Sequence, residues 1–537
     1  MTTITPQSSS YHASSIAKLR EDIDAELAIL QARIRTLHSK RNTLASVYQL
    51  PPEILVRIFS SFQRGVVSTP YMKEQQKYTE WARILQVSQY WRELVLGSKA
   101  LWSNIAVTDR HWVEKFYERS GTNDLSIDFK FYGFASLLKS VVGDPQRISS
   151  LKISIMPSYW EDTLPLLKFP APKLKVLKLE PRLNDFGETN CVLPADIFCG
   201  ECPELRDLYV DSCDIDLRTP LFNGTNLTSL CIRSPANAIG GIDMVHFLQR
   251  LPQLRLLSLS EALTINTVPH AFIPIHIPNL TWLELDHIGL EINAQFLRLI
   301  TIPETTDLRL ECFALHLEPM PVFEEMMDSV IKRAYGNTSL VFRDIDISWS
   351  THKISVVCMR NPRPRSGILA SPSVQLDFGF RESFPNDYIG QWFHQLPRSF
   401  LAPVEALSLE GTELSVDNWN SLSHSMPNLQ RLILADATLF VEYLDTKFPD
   451  VISESHLARL SGQPVTHDIV YPALRSLTLP LQTIEHAERL CRPLAIRRRN
   501  GLALEELTIT QMADDPALRN QLHNVLIDTI SEIRWMP

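Results

Sequence analysis

The first regular pattern in the chain is a heptad repeat of apolar residues within positions 16–47. Apolar residues alternate at steps of four and three, and Arg41 fills the one gap in the series of Ile23, Leu27, Leu30, Ile34, Leu37 and Leu44. This spacing predicts a helix with a coiled-coil seam of about three heptads. Residues 1–15 are expected to be disordered. The seam fits a homodimeric coiled coil or a helix folded back on its own chain, and the arginine favours the second.

Residues 48–108 carry more large apolar side chains than a unit of this size easily buries. A helix begins at Pro51-Pro52-Glu53, since proline loses no hydrogen bond in a first turn and a carboxylate suits the helix dipole. It continues with two adjoining apolar stripes, formed by Leu55, Ile58, Phe59 and Phe62 and by Ile54 and Ile58. A second helix near 79–96 ends at Gly97. Small domains bury little of their surface, so the excess apolar area indicates a partner.

Four motifs follow one another in this segment: Leu50-Pro51-Pro52-Glu53-Ile54-Leu55, Ile58-Phe59, Val87-Ser88-x-x-Trp91-Arg92 and Leu101-Trp102. They resemble the F-box of large fungal, basidiomycete-type protein families. Many relatives have Val-Cys where Val87 precedes Ser88, and the loop 63–80 is long, but neither difference removes an apolar anchor. A plain three-helix packing unit is the alternative interpretation.

The F-box resemblance implies a partner. It implies binding to a Skp-family adaptor and, through it, to the cullin of a ubiquitin ligase. By the same resemblance, the adaptor-facing or adaptor-supporting residues are Leu50, Pro51, Ile54, Leu55, Ile58, Val87, Trp91, Leu101 and Trp102.

After residue 108 a unit of the form L-x-x-L-x-L recurs. Its first positions are Ile148, Leu174, Leu205, Leu227, Leu254, Leu280, Val404, Leu429, Leu474 and Leu504. Steps of 31, 22, 27 and 26 residues separate the units from Leu174 to Leu280, around the leucine-rich-repeat period of about 20 to 29. The predicted fold class is therefore α+β: an N-terminal helix and a helical F-box, followed by an irregular leucine-rich-repeat α/β solenoid over 109–537.

Each predicted strand presents one side chain outward between its last two buried positions. These residues are Lys152, Lys178, Tyr209, Cys231, Ser258, Glu284, Ser408, Ile433, Thr478 and Thr508. Together with neighbours they predict a mixed polar and aromatic concave face, suited to an unknown protein substrate. The candidate substrate-surface residues are Tyr209, Trp282, Glu284 and Asp286. The alternative is that most of these positions are simply solvated.

Three regions depart from the repeat. In the irregular section 311–403, a helix is expected at Phe323–Ala334, strand-like runs at 340–347, 353–358 and 374–378, and two or three degenerate repeats overall. Residues 445–468 fit a surface insertion. A terminal helix over 518–533 would cap the solenoid.

Composition and charge argue against several classes of protein. The net charge of -9 argues against a nucleic-acid binder, which needs a basic face. The sequence has no run of about eighteen apolar residues, so no membrane span is expected. The N-terminus lacks the apolar core of a secretory signal. Eight cysteines in 537 residues fit free thiols in a reducing cytoplasm and/or nucleus.

No motif indicates catalysis. Cys199 and Cys202, with the single Cys191 and Cys213, give only one close pair, whereas structural zinc sites usually have two. The run Arg497–Arg499 fits a solvated helix end or a nuclear import signal. Phosphate-binding and hydrolase motifs are missing, so we expect no metal, no cofactor and no enzymatic activity.

The sequence therefore favours the substrate-recognition subunit of a Skp–cullin–F-box ubiquitin ligase. A scaffold or tethering protein with a degenerate F-box is the second hypothesis. An enzyme built on the solenoid is the third.

Overall fold

The computed structural model describes most of the chain. The described residues are 8–67, 74–107, 110–129, 138, 143–156, 159–181, 191–223, 226–264, 272–287, 289–315, 331–336, 340–350, 352–360, 373–380, 396, 398–411, 414–447, 470–481, 483–510, 516–527, 530 and 532–535. The chain divides into two compact units, Met1–Val176 and Leu177–Pro537. Each unit is described by itself below.

The first unit contains seven helices and three strands among its described residues. The helices are α1 Ser8–Asn42, α2 Pro52–Val67, α3 Glu74–Ala82, α4 Ile84–Val87, α5 Gln89–Gly97, α6 Arg110–Ser120 and α7 Trp160–Thr163. Short 3-10 helices lie at Ser46–Gln49, Lys99–Trp102, Pro145–Arg147 and Leu164–Leu167. The strands β1 Asn104–Val107, β2 Leu125–Phe129 and β3 Ile148–Ile155 pair in parallel in chain order.

Helix α1 differs from its prediction in two ways. It begins at Ser8 and not at Ile16, because neither proline nor glycine interrupts residues 8–15. Residues 1–7 of the predicted disordered segment lie outside the described residues. Its apolar seam side chains are between 48% exposed, at Leu27, and 53% exposed, at Ile34 and Leu37, while Leu44 of the predicted seam lies beyond the end of the helix. The fold-back arrangement favoured by the sequence is therefore wrong for the described residues, since the apolar side chains of the following helices pack against one another instead.

The second unit is built around a long series of paired strands. Its strands are β4 Val176–Pro181, β5 Asp207–Asp211, β6 Ser229–Arg233, β7 Ile239–Gly240, β8 Leu256–Ser260, β9 Leu263–Thr264, β10 Ile275–His276, β11 Trp282–His287, β12 Ile300–Thr301, β13 Asp307–Leu315, β14 Asp344–Ser350, β15 Lys353–Met359, β16 Ser373–Phe380, β17 Ala406–Glu410, β18 Arg431–Leu434, β19 Ser476–Pro480, β20 Glu506–Thr510 and β21 Ile533–Trp535.

Helices connect many of these strands. They are α8 Gly241–Leu248, α9 Leu290–Arg298, α10 Ile331–Ala334, α11 Arg398–Leu401, α12 Val416–Ser425, α13 Thr438–Lys447, α14 Ile484–Arg499 and α15 Pro516–Leu526. Two 3-10 helices lie at Ile197–Gly200 and Pro220–Phe222. The small pairs β7–β9 and β10–β12 stand apart from the main series.

Every L-x-x-L-x-L unit of the sequence contains an observed strand. The strands β5, β6, β8, β11 and β13 pair in parallel with the leucines of successive units in register, as in Leu230, Leu257 and Leu283. Strands β17 to β20 pair in the same way. The apolar positions of the units are buried. Alternation along each strand explains this, because residues two apart share a face.

In the irregular section the described strands depart from the parallel pairing of the leucine units. Strands β14 and β15 pair antiparallel, as do β15 and β16, while β16 pairs in parallel with β13 and β14 with β17. Strand β14 ends at Ser350 and β15 begins at Lys353, and only antiparallel strands can be joined over so few residues. Of the helix predicted at Phe323–Ala334, Ile331–Ala334 is helical and the rest lies outside the described residues. The insertion predicted at 445–468 is mostly outside them too.

The chain end also differs from its prediction. The helix expected over 518–533 spans Pro516–Leu526, and β21 follows it, paired in parallel with β20. Ile533 and Trp535 lie two residues apart, and such β-branched and aromatic residues suit a strand.

Candidate functional site

Helix α2 has two apolar faces with different surroundings. One face is buried against the first unit's core and includes Leu55 and Phe59. The other carries Ile54, Ile58 and Phe62, which are 38%, 47% and 45% exposed. The second set recurs every four residues, so it forms one stripe about 100° around the helix from the buried one. The helix is thus held by one face and leaves the other uncovered by the described residues.

The buried face is fixed by aromatic packing and polar contacts. The rings of Phe59 and Trp91 lie 4.8 Å apart between centroids, which joins α2 to α5. Trp102 donates from Nε1 to the carbonyl oxygen of Val95 over 2.8 Å. Gln63, also buried, donates from Nε2 to the carbonyl oxygen of Leu101 over 3.1 Å. Buried indole N–H groups usually have such a partner, and this bond fixes how Trp102 enters the core.

An aromatic cluster continues from these helices into the first strand and α6. Trp102 packs edge-on against Trp81 at 5.0 Å and against Phe116 of α6 at 4.9 Å. The guanidinium of Arg119 lies 4.7 Å from the Trp102 ring centroid. Tyr78 donates its hydroxyl hydrogen to the carbonyl oxygen of Ala106 in β1. Aromatic pairs add about 0.5–1.5 kcal/mol each beyond area burial, so this cluster ties α2–α5 firmly to β1 and α6.

The nine residues predicted to face or support the adaptor fall into three groups. Pro51, Ile54, Ile58 and Val87 are exposed. Leu50 and Trp91 are half-buried, and Leu55, Leu101 and Trp102 are buried. The third group can only support the helices from within. Two exposed apolar side chains, Phe62 and Leu96, were not among the nine. The four-residue step from Ile58 would have identified Phe62.

Two rows of side chains run across the second unit's strands between the buried leucines. Strand register aligns Tyr209, Cys231, Ser258, Glu284, Arg309 and Gln375 in the first row. It aligns Asp211, Arg233, Ser260, Asp286, Glu311 and Asp377 in the second row. We call these the strand rows. They contain five carboxylates against two arginines, an excess of negative charge.

The strand rows are linked by hydrogen bonds and ion pairs. Ser258 donates to Glu284 over 2.8 Å, and Ser260 donates to Asp286 over 2.7 Å. Arg309 lies within 3.6 Å of Glu284, 3.3 Å of Glu311 and 3.4 Å of Asp377. Burial raises the pKa of Glu311, while Arg309 opposes the rise and nearby carboxylates add to it. A cation arriving at this face would relieve that repulsion.

The four predicted substrate-surface residues all lie on this face of the sheet. Tyr209, Trp282, Glu284 and Asp286 are half-buried. The Tyr209 ring lies under the ammonium group of Lys178, 4.0 Å from its centroid. The Oδ1 atom of Asp286 is buried and accepts no hydrogen bond from the described residues. Arg309, the centre of the ion-pair network, was not predicted, because its strand belongs to no recognised leucine unit.

Some cysteine and histidine side chains lie in the core. Cys191 and Cys213 are buried with their sulfurs 2.8 Å apart, while Cys199 is exposed. Among the described residues no three metal-ligating side chains gather. His287 is buried, and its Nε2 accepts from the backbone N–H of Leu263 while Nδ1 bonds Asn293. Burial lowers the pKa of His287 to about 4, so it is neutral at pH 7.

One residue of the basic run near the C-terminus is structural. The side chain of Arg497 is buried and donates to the carbonyl oxygens of Val470, Tyr471 and Leu474 at 2.8–2.9 Å. Burial lowers its pKa to about 10. The expected solvated cluster is therefore wrong for Arg497 and holds only for the exposed Arg498 and Arg499. Sequence spacing hides this, because a buried arginine needs carbonyl partners from a distant segment.

None of the helices in the described part of the chain is long and apolar enough to cross a membrane.

Comparison with known proteins adds one match. No curated protein matches the chain. Residues 47–108 match the F-box-like family, in close agreement with the 48–108 predicted from sequence. The chain therefore carries an F-box-like domain, formed by the helices whose second apolar face is exposed, and such domains generally bind Skp-type adaptors.

Proposed function

We propose that the protein is the substrate-recognition subunit of a Skp–cullin–F-box ubiquitin ligase. One observation carries the proposal: within an F-box-like domain, α2 is anchored by Leu55 and Phe59 and leaves Ile54, Ile58 and Phe62 exposed. Folded monomers rarely leave such a stripe uncovered. A Skp-family adaptor would cover it and connect the chain to cullin.

The F-box would act by positioning and not by chemistry. Its helices are fixed to β1 and α6 through Trp102, Tyr78 and Phe116. An adaptor bound to α2 would therefore be held at a defined orientation to the first strands. Ubiquitin transfer itself would belong to the other subunits, with the gain coming from the raised local concentration of the substrate.

The strands with their leucine units would form a repeat solenoid that holds the substrate. Its contact residues would be Tyr209, Trp282, Glu284 and Asp286, which lie on the face of the strand rows. The carboxylate excess there suits a basic segment of a protein. A large unknown protein fits this face better than a small molecule, since the rows are extended and not enclosed.

A scaffold or tethering protein with a degenerate F-box is the alternative. The two proposals differ in what the exposed stripe binds. A ligase receptor must co-purify with both adaptor and cullin, whereas a tether needs neither.

Reconstitution with purified Skp-family adaptor and cullin tests the proposal. The wild-type chain should enter the complex, and Ile54→Asp combined with Ile58→Asp should remove it, because two desolvated charges would face an apolar partner. Arg64→Asp is a matched control on the same helix; Arg64 is exposed and, among the described residues, donates to Ser60 and Ser61 of the same helix. If the wild-type chain fails to enter the complex, the ligase proposal is wrong and the tether remains. A complex that forms without ubiquitylating any captured protein would also count against the receptor role.

A further inference from the structure

The seam of helix α1 has no partner among the described residues. Its apolar side chains, from Ile16 through Ile23 and Leu30 to Leu37, are all about half exposed. They repeat every 3.5 residues on average, and this period keeps an apolar stripe continuous only when two helices supercoil around each other. A single surface helix does not require a period of 3.5 residues.

The two halves of α1 carry opposite charge. Residues 16–30 hold four carboxylates, at Glu21, Asp22, Asp24 and Glu26, against Lys18 and Arg20. Residues 31–42 hold Arg33, Arg35, Lys40 and Arg41 and no carboxylate. The first half therefore has a net charge of 2 − 4 = -2 and the second half +4. A helix of the same sequence, running in the opposite direction, presents the complementary charge to each half.

The seam itself contains two arginines, and they also distinguish the orientations. In a parallel pair each seam residue faces its own counterpart, so Arg20 would meet Arg20 and Arg41 would meet Arg41. Both like-charged pairs would lie within the contact. In an antiparallel pair centred between Ala28 and Ile29, each arginine faces an apolar residue, and its charged end can reach water.

We propose that α1 forms an antiparallel coiled coil with a second copy of this chain. Ile23 then packs against the second copy's Ile34, and Leu27 against the second copy's Leu30, each twice by the two-fold symmetry. Four apolar layers result at the centre. At the flanking positions Glu26 lies beside the second copy's Arg33, again twice. This inference does not depend on the proposed ligase function, since α1 lies outside the F-box-like domain.

Sedimentation of the full chain over a concentration series tests the proposal. The wild-type chain should form a dimer, and Leu30→Asp should make it monomeric, because a charge would enter the central layers. Ala32→Asp adds the same charge two residues away on the outer side of the helix and should leave the dimer intact. Both positions are exposed, so neither change disturbs the folded chain. A wild-type monomer at every concentration overturns the proposal, as does a dimer that survives Leu30→Asp.

Charge reversal tests the orientation separately. Glu26→Arg should raise the dissociation constant of the dimer by about tenfold, because it places two like-charged pairs beside Arg33. Adding Arg33→Glu to the same chain should restore the constant to within about threefold of wild type. A parallel pair would place Glu26 near Gln31 and Arg33 near His38, so the single reversal would have little effect. That insensitivity would contradict the antiparallel arrangement.

Discussion

The exposed face of helix α2 and the strand rows of the second unit are opposite kinds of surface. The α2 face consists of apolar side chains that nothing in the described residues covers, at Ile54, Ile58 and Phe62. The strand rows consist of polar side chains already bonded to one another, as in Ser258 with Glu284 and Arg309 with Asp377. One surface lacks a partner, and the other is partly satisfied by its own members.

The difference determines how each surface can be disrupted. An apolar contact is lost when one buried charge is introduced, since the charge must be desolvated without compensation. A polar network shares its free energy among several members, and each half-exposed ion pair contributes little. We therefore expect single substitutions to matter greatly in the F-box-like domain and modestly on the strand rows.

The largest expected effect comes from the support beneath the α2 face. Trp102→Ala removes a buried indole and its bond to Val95, and should lower the free energy of unfolding by about 3–5 kcal/mol. Denaturant unfolding followed by Trp fluorescence would measure this. Val87→Ala, at an exposed position, should change it by less than about 0.5 kcal/mol. A small loss for Trp102→Ala would mean that the aromatic cluster does not hold the helices.

The two regions should also respond differently to acid. His287 is neutral when folded, with its pKa lowered to about 4, while the unfolded value is about 6.5. The contribution of the neutral His287 to the free energy of unfolding is therefore complete above pH 6.5 and is lost as the pH falls toward 4. Between pH 7 and pH 5 the loss should be about 2 kcal/mol.

The measurement for His287 is the difference between wild type and His287→Gln in denaturant unfolding at the two pH values. The variant should lose less stability than wild type as the pH falls. Residues 47–108 contain no histidine, so the free energy of unfolding of the F-box-like domain should be similar at the two pH values. Equal slopes for wild type and variant would show that His287 is not buried in its neutral form.

The smallest effect is expected on the strand rows. Asp286→Asn should weaken binding of a short Arg-rich peptide by about threefold to tenfold at low salt, because one of several carboxylates is neutralised. Fluorescence anisotropy of the labelled peptide would show this. Glu505→Gln is a suitable control, since its side chain is 63% exposed and outside the rows. Loss of all binding through Asp286→Asn would contradict a shared network.

The positions of the strands in the leucine units could be predicted from the sequence for a physical reason. A unit such as Leu254, Leu257 and Leu259 places its last two leucines on one face of a strand, and nothing else buries them so simply. The antiparallel hairpin of β14 and β15 was missed because alternation marks a strand without fixing its direction. Direction depends on the connection, and only two residues separate the end of β14 from the start of β15.

The candidate site was only partly predictable. The two stripes of α2 both consist of apolar residues. The sequence therefore could not show that Leu55 is buried and Ile58 exposed. Packing against Trp91 and Trp102 makes that choice, and their positions depend on the whole domain. Arg309 and Arg497 illustrate the same limit for charges, because their partners come from segments far along the chain.

The dissociation constant between the purified chain and a purified Skp-family adaptor tests the central claim most directly. Calorimetry should detect binding by the wild-type chain. Ile58→Asp should raise the dissociation constant by about 30-fold or more, a loss typical of substitutions at the centre of an interface. For Arg64→Asp the constant should stay within about threefold of the wild-type value. Failure of the wild-type chain to bind, or equal binding by Ile58→Asp, would contradict the claim that the exposed face of α2 is the adaptor-docking surface.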